Sequence, residues 1–438
     1  MRILAVLAAA GLTHAAWQAG TAAVPITPSE SIWLAGYAAR TKPSEGVRQD
    51  IFVKALALRD DSGATTVLVT LDLVGIRRPM AEAIAERARQ QHGIARERLL
   101  FNASHTHSAP LVGDNSSYTY RFGDRAAEYR AVLERYSKSV EEKILEAMNG
   151  SISKLAPATL QFGQGFAGFA VNRRRVGHRE YPGPVDHDVP VLAVRNGSGR
   201  PVAIVFGYAC HNTVMGDYYV HGDYAGYAQA RLEKLYPGAV ALFVQGAGAD
   251  SNPLPRRKVE HLERYGSTLA DAVEEVLSGK MRAVEGKLSA AIEFPDVRFS
   301  PHTRDEFEQN RLSSNVTLRR HAERQLEILE RNGKLRDTHP YAVQAWQFGR
   351  DLLLVALAGE LVVDYSLRFK GKYGWDNVWI AGYSNDVFGY VPSLRVLREG
   401  GYEGGEAFLF GSFPGKLAED IEDRIASAVD RVVSQVRR

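Results

Sequence analysis

Short, almost wholly apolar runs recur along the chain, each closed by a polar or glycine-rich turn, and they narrow the folds open to it. Ile51–Leu58 and Thr65–Leu73 flank Arg59-Asp60-Asp61-Ser62-Gly63, the pattern of a hairpin of buried strands. Leu99–Ser104, Val191–Val194, Val202–Tyr208, Val240–Gln245, Leu352–Ala358 and Val378–Ala381 read as further strands. Segments of helical composition or spacing alternate with them: Pro79–Gln91, Ala126–Met148, Tyr224–Leu235, Glu260–Leu277, Glu306–Arg331 and Leu417–Val436. A strand that is apolar on both faces must be covered on both. The alternation therefore predicts an α/β fold: a mixed β-sheet flanked by helices on both faces, in a single large domain spanning 17–438. The polar, charged stretch 281–337 is read as a peripheral insertion between core elements.

With 438 residues, 45% of them hydrophobic, the chain can bury a sizeable core without help from metals or disulfides. Its 54 basic and 51 acidic residues balance too evenly to point to nucleic acid as the main partner. Cys210 is the only cysteine, which excludes an internal disulfide and a thiolate metal cluster; any metal must be held by His, Asp, Glu or Tyr. At the start, Met1-Arg2 precedes the apolar run Ile3–Leu12 and then Thr13-His14-Ala15-Ala16, the layout of an export signal peptide over 1–16. That run is too short to span a membrane, which takes about 20 residues. An exported protein with no stable span, touching a membrane surface at most transiently, is the expectation.

Histidine placement carries the chemical signal. His105 and His107 follow the apolar run ending at Ser104, and two residues apart in extended chain they face one side. His211 closes a second run, Ile204-Val205-Phe206-Gly207-Tyr208-Ala209-Cys210. Strand ends are where α/β folds place ligands, so three such histidines suggest a metal site as well as ordinary loop histidines. A catalytic zinc site uses about three protein ligands and an open position. Glu360, after the apolar strand Leu352–Ala358, is a candidate carboxylate, and a charge at a helix N-terminus is its alternative reading. Asp250 lies in the glycine-rich turn Phe243–Pro253, Asp72 could orient a ligand histidine, and Tyr390 and Tyr402 stand twelve positions apart among glycines.

Taken in order, these blocks resemble the catalytic domain of the neutral/alkaline, non-lysosomal ceramidases, zinc amidases that split the N-acyl bond of ceramide. The matching stretches are Ser104-His105-Thr106-His107-Ser108-Ala109-Pro110, Val171-Asn172-Arg173, His211-Asn212-Thr213-Val214-Met215, Gly222-Asp223-Tyr224-Ala225-Gly226-Tyr227-Ala228, Phe243–Pro253, Ala358-Gly359-Glu360 and Ala381–Tyr402. The resemblance implies one zinc ion per chain held by His105, His211, Glu360 and Tyr402, with His107 beside it. It also implies Arg173 and Tyr390 at the scissile group and Asp250 near the attacking water. A gap-free match sets Asn252, not Ser251, on the family's catalytic serine, and this chain ends before the β-sandwich domain that classical members carry. The implied reaction is hydrolysis of ceramide or a related N-acyl lipid. The same zinc hydrolase on another small amide, ester or sugar derivative is the alternative, and a ligand-binding scaffold is a third.

Overall fold

The computed structural model describes residues 17–113, 120, 122–176, 180, 182–300, 302–411 and 413–438, so the signal peptide expected over 1–16 lies outside the described residues. Nine strands form one mixed sheet: β1 Trp17–Pro25, β2 Phe52–Asp60, β3 Thr65–Leu71, β4 Leu99–Ala103, β5 Ala156–Phe166, β6 Asp188–Asn196, β7 Pro201–Tyr208, β8 Val240–Gln245 and β9 Arg282–Val284. They run in the order β8-β7-β6-β5-β1-β2-β3-β4, with β9 pairing the middle of β5. The outermost pairs, β7 with β8 and β3 with β4, are parallel, and the pairs between them are antiparallel. A second sheet holds β10 Leu288–Glu293, β11 Val343–Phe348, β12 Leu352–Leu357 and β13 Val378–Ala381 in that order.

Strand periodicity explains how the two sheets share one interior. Successive side chains on a strand face opposite sides, and here both sides are dry. Leu56, Leu68, Leu100, Leu192, Val205 and Leu242 of the first sheet join Trp346, Leu354 and Trp379 of the second in one apolar layer. Their sequence neighbours point outward to helices. Val53, Val67 and Phe101 pack with Ile84 of α1 (Arg78–His92) and Ile144 of α2 (Ala126–Ser153). Val191, Phe206 and Phe243 pack with Leu232 of α3 (Asp223–Leu235) and Leu269 of α4 (Glu260–Ser278). The expected mixed β-structure between helices is therefore present, divided between two sheets packed face to face.

The elements follow the sequence pattern closely, with differences that have local causes. The helix expected over Glu306–Arg331 is two, α5 (Arg304–Asn310) and α6 (Val316–Asn332), because the Asn315 side chain accepts the Thr317 and Leu318 amides and starts a new helix. Residue Leu417 bridges Phe299, so the last helix begins only at Ile421. Helix α7 (Val363–Tyr373) follows Glu360 with no cap residue to announce it, and it and the C-terminal helix α8 (Ile421–Val436) cover the outer face of the second sheet through Tyr365, Phe369, Val429 and Val432. Within 281–337, β9 and β10 belong to the two sheets, and residues 296–298 pair with 338–340 ahead of the α5–α6 hairpin. No helix among the described residues is long and apolar enough to cross a membrane.

Phe206, fully buried and edge-on to Phe243 at 5.6 Å, tests this packing. Phe206→Ala is expected to cost about 3–5 kcal/mol. Leu312→Ala, at a position 82% exposed, is expected to stay within about 0.5 kcal/mol. Urea denaturation of the two variants reads the contrast.

Candidate metal centre

Three buried amides lock together the strand ends that carry the histidines. Asn212 donates to the Ser104 carbonyl at 2.6 Å and to Gln245 Oε1 at 3.1 Å, and its Oδ1 accepts the Ala225 amide. Gln245 in turn donates to the Cys210 carbonyl at 2.9 Å. Asn102 accepts the Gln245 amide at 2.8 Å and donates to the Gly382 carbonyl at 2.7 Å. The ends of β4, β7, β8 and β13 are thereby held in one register. The Gly222–Ala228 block acts as scaffold, because the Asp223 carboxylate accepts the Val214, Met215 and Tyr224 amides and so shapes the loop after His211.

On this frame the imidazoles converge. His105 follows β4 with φ +62°, so the chain has already turned and the pair does not meet by strand alternation. The turn brings His107 Nε2 to 3.0 Å from His105 Nε2. Glu360 Oε2 stands 3.1 Å from His105 Nε2 and 3.3 Å from His211 Nε2. Glu360 sits in a two-residue bridge with Tyr390-Val391, ahead of α7, so its carboxylate serves the cluster and not the helix end.

The far side of two rings fixes their protons. His105 Nδ1 lies 2.6 Å from the Val74 carbonyl and His211 Nδ1 2.8 Å from the Gly248 carbonyl. A carbonyl accepts only, so Nδ1 carries the proton in both and each Nε2 turns a lone pair inward. Burial pulls His211 down to about 4, and Arg173 adds to the effect. Burial first, then His105 and His211, holds His107 well below its ordinary value. Glu360 Oε2 has no hydrogen-bond partner among the described residues. Lone pairs and a carboxylate oxygen facing one another in a dry space repel unless one positive charge, a proton or a metal ion, sits among them. Two donor atoms each about 2.0–2.2 Å from a tetrahedral ion stand roughly 3.3–3.6 Å apart, slightly more than these separations. His105, His107 and His211 can hold a metal ion.

The other expected residues connect to the cluster to different degrees. Tyr390 Oη is 3.3 Å from His211 Nε2 and accepts from Arg173 Nη2 at 3.0 Å; burial holds the phenol well above its ordinary value, so it keeps its proton. Arg173 also donates to Glu403 at 2.6 Å, and its amide donates to the Asp250 carbonyl at 2.7 Å. It thus bridges the phenol next to His211 and the turn that carries Asp250. The Asp250 carboxylate accepts the Val363 amide at 2.9 Å and Asn172 at 3.0 Å, and burial lifts it to about 6. Asn252 Oδ1 accepts from Thr213 at 3.3 Å, two residues from His211. Tyr402 is 44% exposed, meets the Tyr390 ring edge-on at 5.2 Å, and makes no hydrogen bond to the cluster among the described residues. Asp72 does not orient a histidine: it accepts from the Phe52 amide and Gln229, and backbone carbonyls hold the imidazoles instead.

Sequence reasoning missed several neighbours. Buried Tyr383, in a φ +50° turn, lies 4.6 Å from the His105 ring, and Tyr37 lies 4.7 Å from His107. Arg40 donates to the His107 carbonyl at 2.8 Å, and buried Glu403 pairs with both Arg173 and Arg174. Only Tyr383 and Glu403 lie in or beside one of the motif blocks; Tyr37 and Arg40 carry no local signal.

Comparison with known proteins agrees with the resemblance. No curated protein matches the chain. A solved structure described as a ceramidase complexed with C2 superimposes with a TM-score of 0.73 at 16% identity, over 95% of this chain and 75% of that one. The neutral ceramidase from Pseudomonas aeruginosa gives 0.73 at 17% identity, over 96% and 75%. At such identities the likeness establishes the fold. The family model for the N-terminal region of neutral/alkaline non-lysosomal ceramidase matches residues 17–252. That match takes in more than half of the sequence, and the chain therefore belongs to the neutral/alkaline non-lysosomal ceramidase family, a family of amide hydrolases.

Proposed function

We propose that the protein is an exported zinc-dependent amidohydrolase that cleaves the N-acyl bond of ceramide or a related N-acyl lipid. The observation that carries this reading is the meeting of His105, His107, His211 and Glu360 within 3.0–3.3 Å contacts in a buried space. Two imidazoles already oriented through Nδ1 and a carboxylate suit zinc, a borderline cation that takes nitrogen and oxygen ligands. His105, His211 and Glu360 would hold the ion. The family resemblance gives the fourth place to Tyr402; the geometry favours His107, whose Nε2 already faces the same point.

A zinc ion supplies Lewis acidity, which polarises a carbonyl and makes water acidic near neutral pH. The chain's own groups supply the rest. Were His211 to hold the ion, the Tyr390 hydroxyl, 3.3 Å from its Nε2, would be free to donate a hydrogen bond to the oxygen of a substrate amide. Arg173 fixes that phenol by donating to its oxygen, so the donor needs no reorganisation as charge grows on the carbonyl. Asp250, lifted to about 6, is matched to take a proton from water and return it to the leaving amine. Asn252 is no nucleophile, because an amide nitrogen is too weakly basic, but its Nδ2 can donate to the substrate. This replacement favours a second reading, the same hydrolase acting on a smaller amide or ester.

Three outcomes test the proposal. Purified protein is expected to hold about one zinc per chain by elemental analysis, lost in His105→Ala and in His211→Ala; metal retained in both refutes the site. Tyr390→Phe is expected to lower kcat about 100- to 1,000-fold with zinc content unchanged. Fatty acid release from ceramide supports the lipid reading, whereas release from short N-acyl amines alone supports the second.

A further inference from the structure

A second polar site opens between the first turn of α1 and the end of α6, independent of the hydrolytic reading and sharing no lining residue with the histidine cluster. It is a groove of about 870 Å³, and its lining holds five arginine and lysine side chains, Arg77, Arg78, Arg331, Lys334 and Arg336, against three carboxylates. Two of those carboxylates are already neutralised. Glu82 pairs with Arg96 at 3.0 Å, and buried Asp386 takes Arg77 at 3.2 Å and His339 Nε2 at 2.8 Å. Only Asp337 remains without a cation among the described residues.

The bases are not balanced in the same way. Arg336 donates to His339 Nδ1 at 3.1 Å, which leaves its charge in the groove, since a neutral imidazole absorbs none of it. Arg78 stacks on the Phe294 ring at 4.8 Å, and neither it, Arg331 nor Lys334 makes an ion pair among the described residues. Arg78, Arg331, Lys334 and Arg336, from three separate segments, thus line one concave volume with no carboxylate paired to them among the described residues. The chain as a whole carries only +3, so this excess is a local feature. A flexible sugar or an apolar chain would leave these guanidinium forks unpaired, whereas an oxyanion with several acceptor oxygens satisfies them bidentately.

We propose that this groove is an anion site that takes a phosphate group, either free or as the head of a phospholipid. The full-length protein is titrated with inorganic phosphate by calorimetry, with chloride at matched ionic strength as control, and the Arg331→Gln/Lys334→Gln double variant is titrated beside it. Both substituted positions are exposed and outside the hydrolytic site, so hydrolysis and thermal unfolding are expected to stay at wild-type levels. Saturable phosphate binding, weakened about tenfold or more in the variant, supports the site. Flotation with phosphatidic acid vesicles, compared with phosphatidylcholine alone, assigns the source: variant-sensitive vesicle binding indicates a lipid head, and binding of free phosphate only indicates a soluble ligand. Absence of saturable binding, equal heats with chloride, or identical affinity in the folded variant overturns the proposal. Arg78→Gln, from a different segment, is expected to weaken binding in the same direction, and an unaltered affinity there also counts against it.

Discussion

The amide lock of Asn102, Asn212 and Gln245 is the constraint on which the rest depends. Each side chain is buried, and each donates to a backbone carbonyl just past the end of a strand distant in sequence. A buried amide without partners costs a few kcal/mol, so these bonds form together or the strand ends separate. While they hold, β4, β7, β8 and β13 end in fixed register. The loops that leave those ends have little choice about where His105, His211 and Tyr383 stand.

The same economy governs the cluster itself. Backbone carbonyls of Val74 and Gly248 take the outer protons of two imidazoles, and burial keeps His107 and His211 neutral. The inward atoms are then acceptors in a space with little water, a strongly unfavourable arrangement that a cation converts into a favourable one. Around it, Arg173 links Tyr390 to Glu403 and, through its amide, to the turn carrying Asp250. Positioning and electrostatics are thus supplied by different parts of the chain: the sheet ends aim the imidazoles, and the Arg173–Glu403 pair fixes the Tyr390 phenol.

Legibility in the sequence follows the range of the forces involved. Strand and helix positions are readable because burial on alternate faces writes a pattern into neighbouring residues; Leu56 and Val53, or Leu354 and Val355, show it directly. The break between α5 and α6 escapes the pattern although Asn315 marks it, since charged, helix-forming residues lie on both sides of the gap. His105 and His107 do converge, but strand alternation is not the cause: the φ +62° turn at His105 brings them together. Asp72 looks like a ligand's partner by position alone, and its hydrogen bonds go elsewhere.

Amino-acid order by itself determined the α/β class, the donor types available for a metal once cysteine was excluded, and, through motif order, the family. Tertiary structure decided that the strands divide into two facing sheets, that backbone carbonyls set the histidine tautomers, and that Tyr390 rather than Tyr402 lies within hydrogen-bond reach of an imidazole. The division has a physical reason. Side-chain periodicity and residue chemistry are local properties of a chain, whereas distances between residues hundreds of positions apart arise only when strand ends are brought together and locked.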